Sequence, residues 1–372
     1  MIFDNTQSAE EDEYFMAFLR HQDKEFDFKS TKLEETTSVL DGAEYVFHNA
    51  IDVSLNLQGV KMTASMLYNK MTGEKYSTKN WSLHELHPKA KDETTVDFIF
   101  TMDLLNFSFW SENTSEERFS IKYKDQNWTG YWSLVAALQR ALEENIPITS
   151  PKFWVNEDEC TDKILKYVFR SATPEEIPLF QERINILRQA GKILTEKFNG
   201  SFLGCVKVAN NSAVRLVNLL ASNFPCFNDV FNFEERRIRF LKRAQICVAD
   251  LWAAFDGEYY GEFHDIEQLT IFADYRIPQI LNTLGCLSYS PPLENTIRSK
   301  KLIESGHMWE IQIRGCSIWC VELIIKEILR HHSEFKVNSI MVDFFLYDLI
   351  KNWEKTDQRI NLPHHRTRSI WY

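Results

Sequence analysis

Four stretches of this 372-residue chain place polar side chains where a purely apolar core segment would exclude them. In LTIFADYRIPQIL, Asp274 follows Phe272 and Ala273, an apolar setting that desolvates a carboxylate and tunes it for chemistry. If that segment is helical, Pro278 cannot donate the bond that would reach the carbonyl of Asp274, and the backbone there is kinked or left free. In TMDLLNFSFWSE, Asp103 and Asn106 sit among Phe107, Phe109 and Trp110. That mixture is either core or a stacking pocket for a flat heterocycle whose edges meet fixed donors and acceptors. In FLKRAQICVADLW, Lys242, Arg243 and Asp250 lie along one amphipathic helix. Lys242 and Asp250 are roughly 80° apart around its axis and point away from the Phe240 stripe, as a site or as a solvated face. The segment HHRTRSIWY clusters His364, His365, Arg366 and Arg368, and its Ile-Trp-Tyr end suggests a tail that packs down and delivers arginine to a phosphate.

Other chemistries lack their signatures. No G-x-S-x-G, H-E-x-x-H, G-x-x-x-x-G-K or G-x-G-x-x-G occurs. The seven cysteines contain no C-x-x-C, and an odd number cannot all pair, which fits a reducing compartment. Cys316 and Cys320 share a helix face without a further ligand at zinc spacing, so no metal and no cofactor is expected. Lys plus Arg total 42 against 53 for Asp plus Glu, a net charge of −11. Holding a long duplex requires the opposite balance. No run is apolar enough to span a membrane, and the acidic MIFDNTQSAEEDEYF is unlike a secretory or mitochondrial leader. The expectation is a cytoplasmic protein, the nucleus remaining open, and a monomer.

The elements that must position these residues are mainly helices. With only 12 Gly and 10 Pro, a many-stranded sandwich would lack its turns. A capping-box start is expected at Thr173, Pro174 and Glu176, interrupted by Pro178. A longer segment follows, with Ile184, Leu187, Ala190, Leu194 and Phe198 at helical steps and Gly200 at its end. Residues 212–223 repeat the pattern with Ala213, Leu216, Val217 and Leu220. Phe240, Ala244, Cys247, Val248 and Leu251 form another stripe, and Trp319, Leu323, Ile324 and Ile328 a fourth. Residues 118–132 alternate through Phe119, Ile121 and Tyr123 before a turn at Lys124-Asp125-Gln126-Asn127, which reads as a hairpin. The expected organisation is an acidic extension over residues 1–35, carrying Glu10, Glu11, Asp12 and Glu13, and one mainly α domain over 36–372 with a small β-hairpin. No internal repeat is visible.

These blocks, with LHELHPKAKDE, GYWSLVAALQRALEENIPITSP, ERINILRQAGKILTEKFNGSFLGCV and EIQIRGCSIWCVELI, resemble the queuosine salvage protein family over about nine-tenths of the chain. The resemblance implies an N-glycosylase that cleaves queuosine 5′-phosphate to queuine and ribose 5-phosphate. It also implies a fold similar to the helix–hairpin–helix DNA glycosylases, two-lobed and helical with the site between the lobes. Carried over residue by residue, Lys242 in KRAQ and Asp274 in FADYR are the catalytic pair. Asp103, Asn106, Phe107, Trp110 and Asp250 are base or sugar contacts, with Tyr275 and Arg276 beside them. Arg366 and Arg368, with Lys242, Arg243 and Arg276, are the cations available to the phosphate. One phosphate needs two or three cations, so the net acidity is no obstacle, whereas a repair glycosylase needs a long basic face. The alternative is a non-catalytic module that binds queuosine or queuine, which needs the pocket but not a poised carboxylate. The expected partner is therefore a mononucleotide, with no duplex nucleic acid and no membrane.

Overall fold

Short polar side chains start most of the helices that frame the molecule. Asn56 accepts hydrogen bonds from the amides of Gln58 and Gly59, and Asp92 from those of Thr94 and Thr95. Ser212 and Asn338 serve two further helices in the same way. The computed structural model describes residues 35–372 apart from 357 and 359, so nearly all of the expected acidic extension lies outside the described residues. Residues Glu35–Tyr372 form one compact unit.

In chain order the first elements are α1 (Val39–Asn49), β1 (Val53–Leu55), α2 (Leu57–Gly73), α3 (Lys79–Leu83) and α4 (Glu93–Leu104). Next come β2 (Ile121–Tyr123), β3 (Gln126–Trp128), α5 (Tyr131–Glu143), α6 (Pro151–Val155) and α7 (Asp162–Val168). The middle of the chain holds α8 (Phe180–Lys197), α9 (Phe202–Ala209), α10 (Ala213–Asn223), β4 (Val230–Phe233), β5 (Arg236–Arg239) and α11 (Lys242–Ala254). The last are α12 (Arg276–Thr283), β6 (Leu287–Tyr289), α13 (Pro291–Arg298), α14 (Met308–His331) and α15 (Ser339–Lys355). The fold is mainly α. Among the described residues the strands form three antiparallel pairs, β1–β6, β2–β3 and β4–β5, where the sequence suggests a single hairpin. The pair β1–β6 joins Ser54 to Ser288, a contact between distant parts of the chain that local alternation cannot announce. No helix among the described residues is long and apolar enough to cross a membrane.

Three local expectations are corrected. The expected helix start at Thr173 does not form: residues 170–179 are irregular and α8 begins at Phe180. The capping groups are engaged elsewhere. Thr173 Oγ1 donates to the carbonyl of Arg118 (3.0 Å) and Glu176 pairs with Lys166 (2.6 Å), while the neighbouring Glu175 accepts from Ser111 Oγ (2.7 Å) and the amide of Phe119 (2.5 Å). The β2–β3 turn is narrower than expected. Lys124 and Asp125 alone turn, both at left-handed φ (49° and 59°), which matches the twist of the strands and leaves Gln126 and Asn127 in β3. The segment around Asp274 is not a kinked helix, because Asp274 precedes α12 and Pro278 sits in its first turn, where a missing N–H costs little.

Two long buried helices organise the interior around the residues of interest. In α11 nearly every side chain is buried, including Lys242, Arg243 and Asp250, which excludes the solvated-face reading. Helix α14 packs against α1 and α2. A Cβ on Gly315 would lie 2.5 Å from Val46 of α1, so only glycine permits this approach.

Candidate active site

Lys242 is the first residue of α11, and its amide donates to Asp229 Oδ2 (3.2 Å). The residue is only 5% exposed, yet among the described residues its ammonium has no hydrogen-bond or ion-pair partner. Desolvation pushes the ammonium below the ordinary lysine range, and the charges of Asp274, Asp103 and Asp343 oppose that push. A buried cation left without a direct partner is a costly arrangement, and such groups concentrate at functional sites.

Asp274 is half-buried just ahead of α12. Its Oδ1 accepts from the amides of Arg276 (2.7 Å) and Ile277 (3.0 Å), so the carboxylate is held at the positive end of a helix. Oδ2 has no protein hydrogen bond among the described residues. Asp343 of α15, not singled out from the sequence, accepts from the amide of Phe272 (2.9 Å) and so ties that helix to the Asp274 loop. Burial, then the charge of Asp274, pushes its carboxyl well above the usual range.

A second carboxylate pair completes the surroundings of Lys242. Asp103, at the end of α4, is fully buried; Oδ1 accepts from Asn106 Nδ2 (3.1 Å) and Oδ2 has no partner among the described residues. Burial pushes its carboxyl up to about 7, against the opposing effects of Asn106, Lys242 and Arg243. Asp250, two turns along α11 from Lys242, accepts from Trp81 Nε1 (3.0 Å). Burial, then the charge of Asp103, pushes it well above the carboxylate range. The charge of Asp103 therefore favours the protonated form of the Asp250 carboxyl.

Trp81 lies against His87, ring centroids 3.7 Å apart and planes at 17°. His87 is held neutral, its imidazole pushed down to about 3 by burial. One ring nitrogen, Nδ1, faces the carbonyl of Trp81 (2.7 Å) and must carry the hydrogen. The other, Nε2, therefore accepts from Tyr131 Oη at 2.7 Å. The single hydroxyl hydrogen of Tyr131 faces two acceptors, His87 Nε2 and Met102 Sδ (3.0 Å), and its oxygen keeps the capacity to accept. Its surroundings include the charges of Asp250, Asp103 and Tyr347.

The remaining expected residues divide into two groups. Phe107 is fully buried, with the guanidinium carbons of Arg183 and Arg243 4.2 and 4.9 Å from its ring centre. Arg243 donates to the carbonyls of Asp103 (3.3 Å), Leu104 (2.6 Å) and Cys226, which removes it from the cations available to a phosphate. Arg243 is structural. The tail does pack down, as its apolar end suggests. Trp110 Nε1 donates to the carbonyl of Thr367 (2.9 Å), and the guanidinium carbons of Arg368 and Arg366 lie 3.5 and 5.3 Å from the Trp110 ring centre. Arg368 also donates to the Trp110 carbonyl (2.8 Å), whereas Arg366 has no side-chain hydrogen bond or ion pair among the described residues. His364 brings its ring to 4.7 Å from that of Tyr275, and Arg276 pairs with Glu354 (2.5 Å). Among the described residues, no three His, Cys, Asp or Glu side chains are grouped to hold a metal ion.

Comparison with known proteins gives this arrangement its context. Residues 86–372 match the family described as queuosine salvage protein. The chain belongs to that family. It is similar to a protein of Schizosaccharomyces pombe named queuosine 5′-phosphate N-glycosylase/hydrolase, 45% identical over 347 residues, covering 90% of this chain and 99% of the relative. A Bos taurus protein of the same name is 42% identical over 341 residues, covering 89% and 98%. One from Sphaerobacter thermophilus, also of that name, is 39% identical over 292 residues, covering 77% and 84%. The match to the queuosine salvage family begins five residues after Trp81, whose indole nevertheless reaches Asp250. Asp343, Trp81 and Tyr131 escape a reading based on local pattern, because each joins the site through a partner far away in the chain.

Proposed function

We propose that this protein hydrolyses the N-glycosidic bond of queuosine 5′-phosphate, releasing queuine for reuse in tRNA modification together with ribose 5-phosphate. The observation that carries this reading is the near full-length likeness to relatives named for that activity. The site chemistry supports it. Breaking the bond between the base nitrogen and C1′ builds positive charge on the ribose and negative charge on the departing base. Asp274, fixed by two amides with Oδ2 free, faces the ribosyl cation and orients the attacking water, whose oxygen joins C1′ and whose proton ends on the base. Lys242 acts through its charge on Asp274. A 7-deazaguanine lacks the N7 that purine-cleaving enzymes commonly protonate, so the base must leave with help at its edge. The Asp250 carboxyl, kept protonated by burial and by the charge of Asp103, supplies a donor there, and Tyr131 an acceptor.

Trp110 takes part by seating the tail, and Arg366, Arg368 and Arg276 with Tyr275 are the groups offered to the 5′-phosphate. No metal step is required: hydrolysis at an anomeric carbon proceeds with a carboxylate and water. The test is incubation of the pure protein with queuosine 5′-phosphate, with free queuine and ribose 5-phosphate followed by mass spectrometry. Release of both in equal amounts is expected. Binding without release would move the protein to the non-catalytic queuine-binding class.

A further inference from the structure

Arg314 of α14 is completely buried and touches none of the groups assigned to the substrate, yet its guanidinium bonds to segments that carry them. Its Nε donates to the carbonyl of Ala273 (3.0 Å), the residue before Asp274. Its two terminal nitrogens grip Asp229 as a fork, Nη1 to Oδ1 at 3.0 Å and Nη2 to Oδ2 at 2.6 Å. Asp229 in turn accepts from the amide of Lys242 through Oδ2 (3.2 Å), and its backbone carbonyl accepts from the amide of Phe240 (3.0 Å). On the other side, Nη1 reaches Glu310 Oε1 (3.2 Å), and the guanidinium carbon lies 4.9 Å from the ring centre of Tyr372. The Tyr372 hydroxyl is 3.2 Å from His365 Nε2, so the tail that carries Arg366 and Arg368 is seated on the same group.

We propose that Arg314 is a positioning residue that sets the spacing of Lys242 and Asp274 by holding both backbones at once, a role that rests on the hydrolase reading of those two residues. It holds the Asp274 loop directly and the start of α11 through Asp229. An isolated buried ion pair adds little stability over well-packed apolar side chains, so the gain here is geometric. Only arginine fits. Its planar fork makes the bidentate Asp229 contact while Nε remains free for Ala273, which a lysine ammonium cannot reproduce. Phe240, 4.1 Å from the guanidinium carbon, keeps that plane in place.

The experiment compares Arg314→Lys, Arg314→Met and Asp229→Asn with wild type and with Arg140→Met. Arg140 is a control because its partners are the carbonyls of Lys122, Val168 and Arg170, remote from the segments above. Melting temperature, KM and kcat on queuosine 5′-phosphate are measured for each, with kcat expressed per folded molecule. Misplacing catalytic groups by about 1 Å costs on the order of 10²-fold. Arg314→Lys should therefore fold, keep KM within about threefold and lose about 10²-fold in kcat. Arg314→Met should lose more, and Arg140→Met should lower the melting temperature with kcat unchanged. Amide hydrogen exchange supplies a readout independent of turnover: residues 240–244 and 272–277 should lose protection together in Arg314→Lys. If Arg314→Met fails to fold, Arg314→Lys and Asp229→Asn decide the matter. A folded Arg314→Lys with near-normal kcat, or exchange that rises in only one of the two segments, overturns the positioning role. A wild-type protein that releases no base overturns the hydrolase reading instead, and is told apart by that control alone.

Discussion

Two buried charge clusters meet at Lys242, the first residue of α11, and they are built on opposite rules. In one, Arg314 is fully paired with Asp229 and Glu310, and every nitrogen of its guanidinium has an acceptor. In the other, Lys242 has no direct partner, Asp103 Oδ2 is buried without one, and Asp250 and Asp343 are driven far from their ordinary ionisation by burial. The first cluster satisfies itself and therefore holds backbone in place. The second leaves the Lys242 ammonium and Asp103 Oδ2 without a direct partner among the described residues, the arrangement on which the proposed substrate role rests. Unmet polar groups in a folded interior cost stability, and here an unpartnered Asp103 oxygen and an unpaired Lys242 ammonium fall in one another's field.

The largest expected effect sharpens that contrast at Asp274. Asp274→Asn keeps an oxygen for the amides of Arg276 and Ile277 and so keeps the fold, but removes the negative charge facing the ribose. We expect kcat to fall about 10³-fold or more, on the order of 4 kcal/mol of transition-state stabilisation, in single-turnover assays. A well-folded variant with normal cleavage would transfer the role to another carboxylate, Asp250 first.

The stability contrast comes next. Arg314→Met strands the Asp229 and Glu310 carboxylates in the interior and should cost about 3–5 kcal/mol of unfolding free energy. Lys242→Met removes a cation whose desolvation outweighs its attractions, and should cost no more than about 1 kcal/mol while cleavage is lost. Urea titrations of both variants test this; equal losses would erase the distinction between the clusters.

Recognition of the phosphate is a smaller term. Charge-assisted bonds contribute roughly 1.5–3 kcal/mol each, so two from Arg366, Arg368 and Arg276 should favour queuosine 5′-phosphate over queuosine by about 10²-fold in kcat/KM. Arg366→Ala should lose part of that preference, and equal turnover of nucleotide and nucleoside would remove the tail from the site.

The smallest effect is a pH dependence of stability. The Asp103 carboxyl is raised from 3.8 to about 7, chiefly by burial. Between those values the native protein keeps a proton that the unfolded chain has released, so this group's contribution to stability falls as pH rises through the window. Asp103→Asn retains the Asn106 contact and removes the titration. Relative to wild type it should gain about 2 °C in melting temperature on going from pH 5 to pH 7.5. A constant difference across that range would mean that Asp103 ionises normally in the folded state.

What the amino-acid order determined by itself was the helical character of the chain, the stripes of α8, α10, α11 and α14, and the β2–β3 hairpin. These follow from periodicity, turn residues and motif blocks, all of which are properties of neighbouring positions. Tertiary structure decided the rest. Thr173 to Glu176 have the local grammar of a helix start, yet the carbonyl of Arg118 engages Thr173 and Lys166 engages Glu176. Arg243 looks like a ligand group in isolation, yet its terminal nitrogens donate to the carbonyls of Asp103, Leu104 and Cys226. Asp343 reaches Phe272 across 71 residues, Trp81 reaches Asp250 across 169, and Arg314 reaches Ala273 and Asp229 across 41 and 85. Periodicity reports that a helix has a buried face but not which other face it meets. Whether a buried charge is satisfied or left waiting depends on that meeting, and so does the division of labour between Arg314 and Lys242.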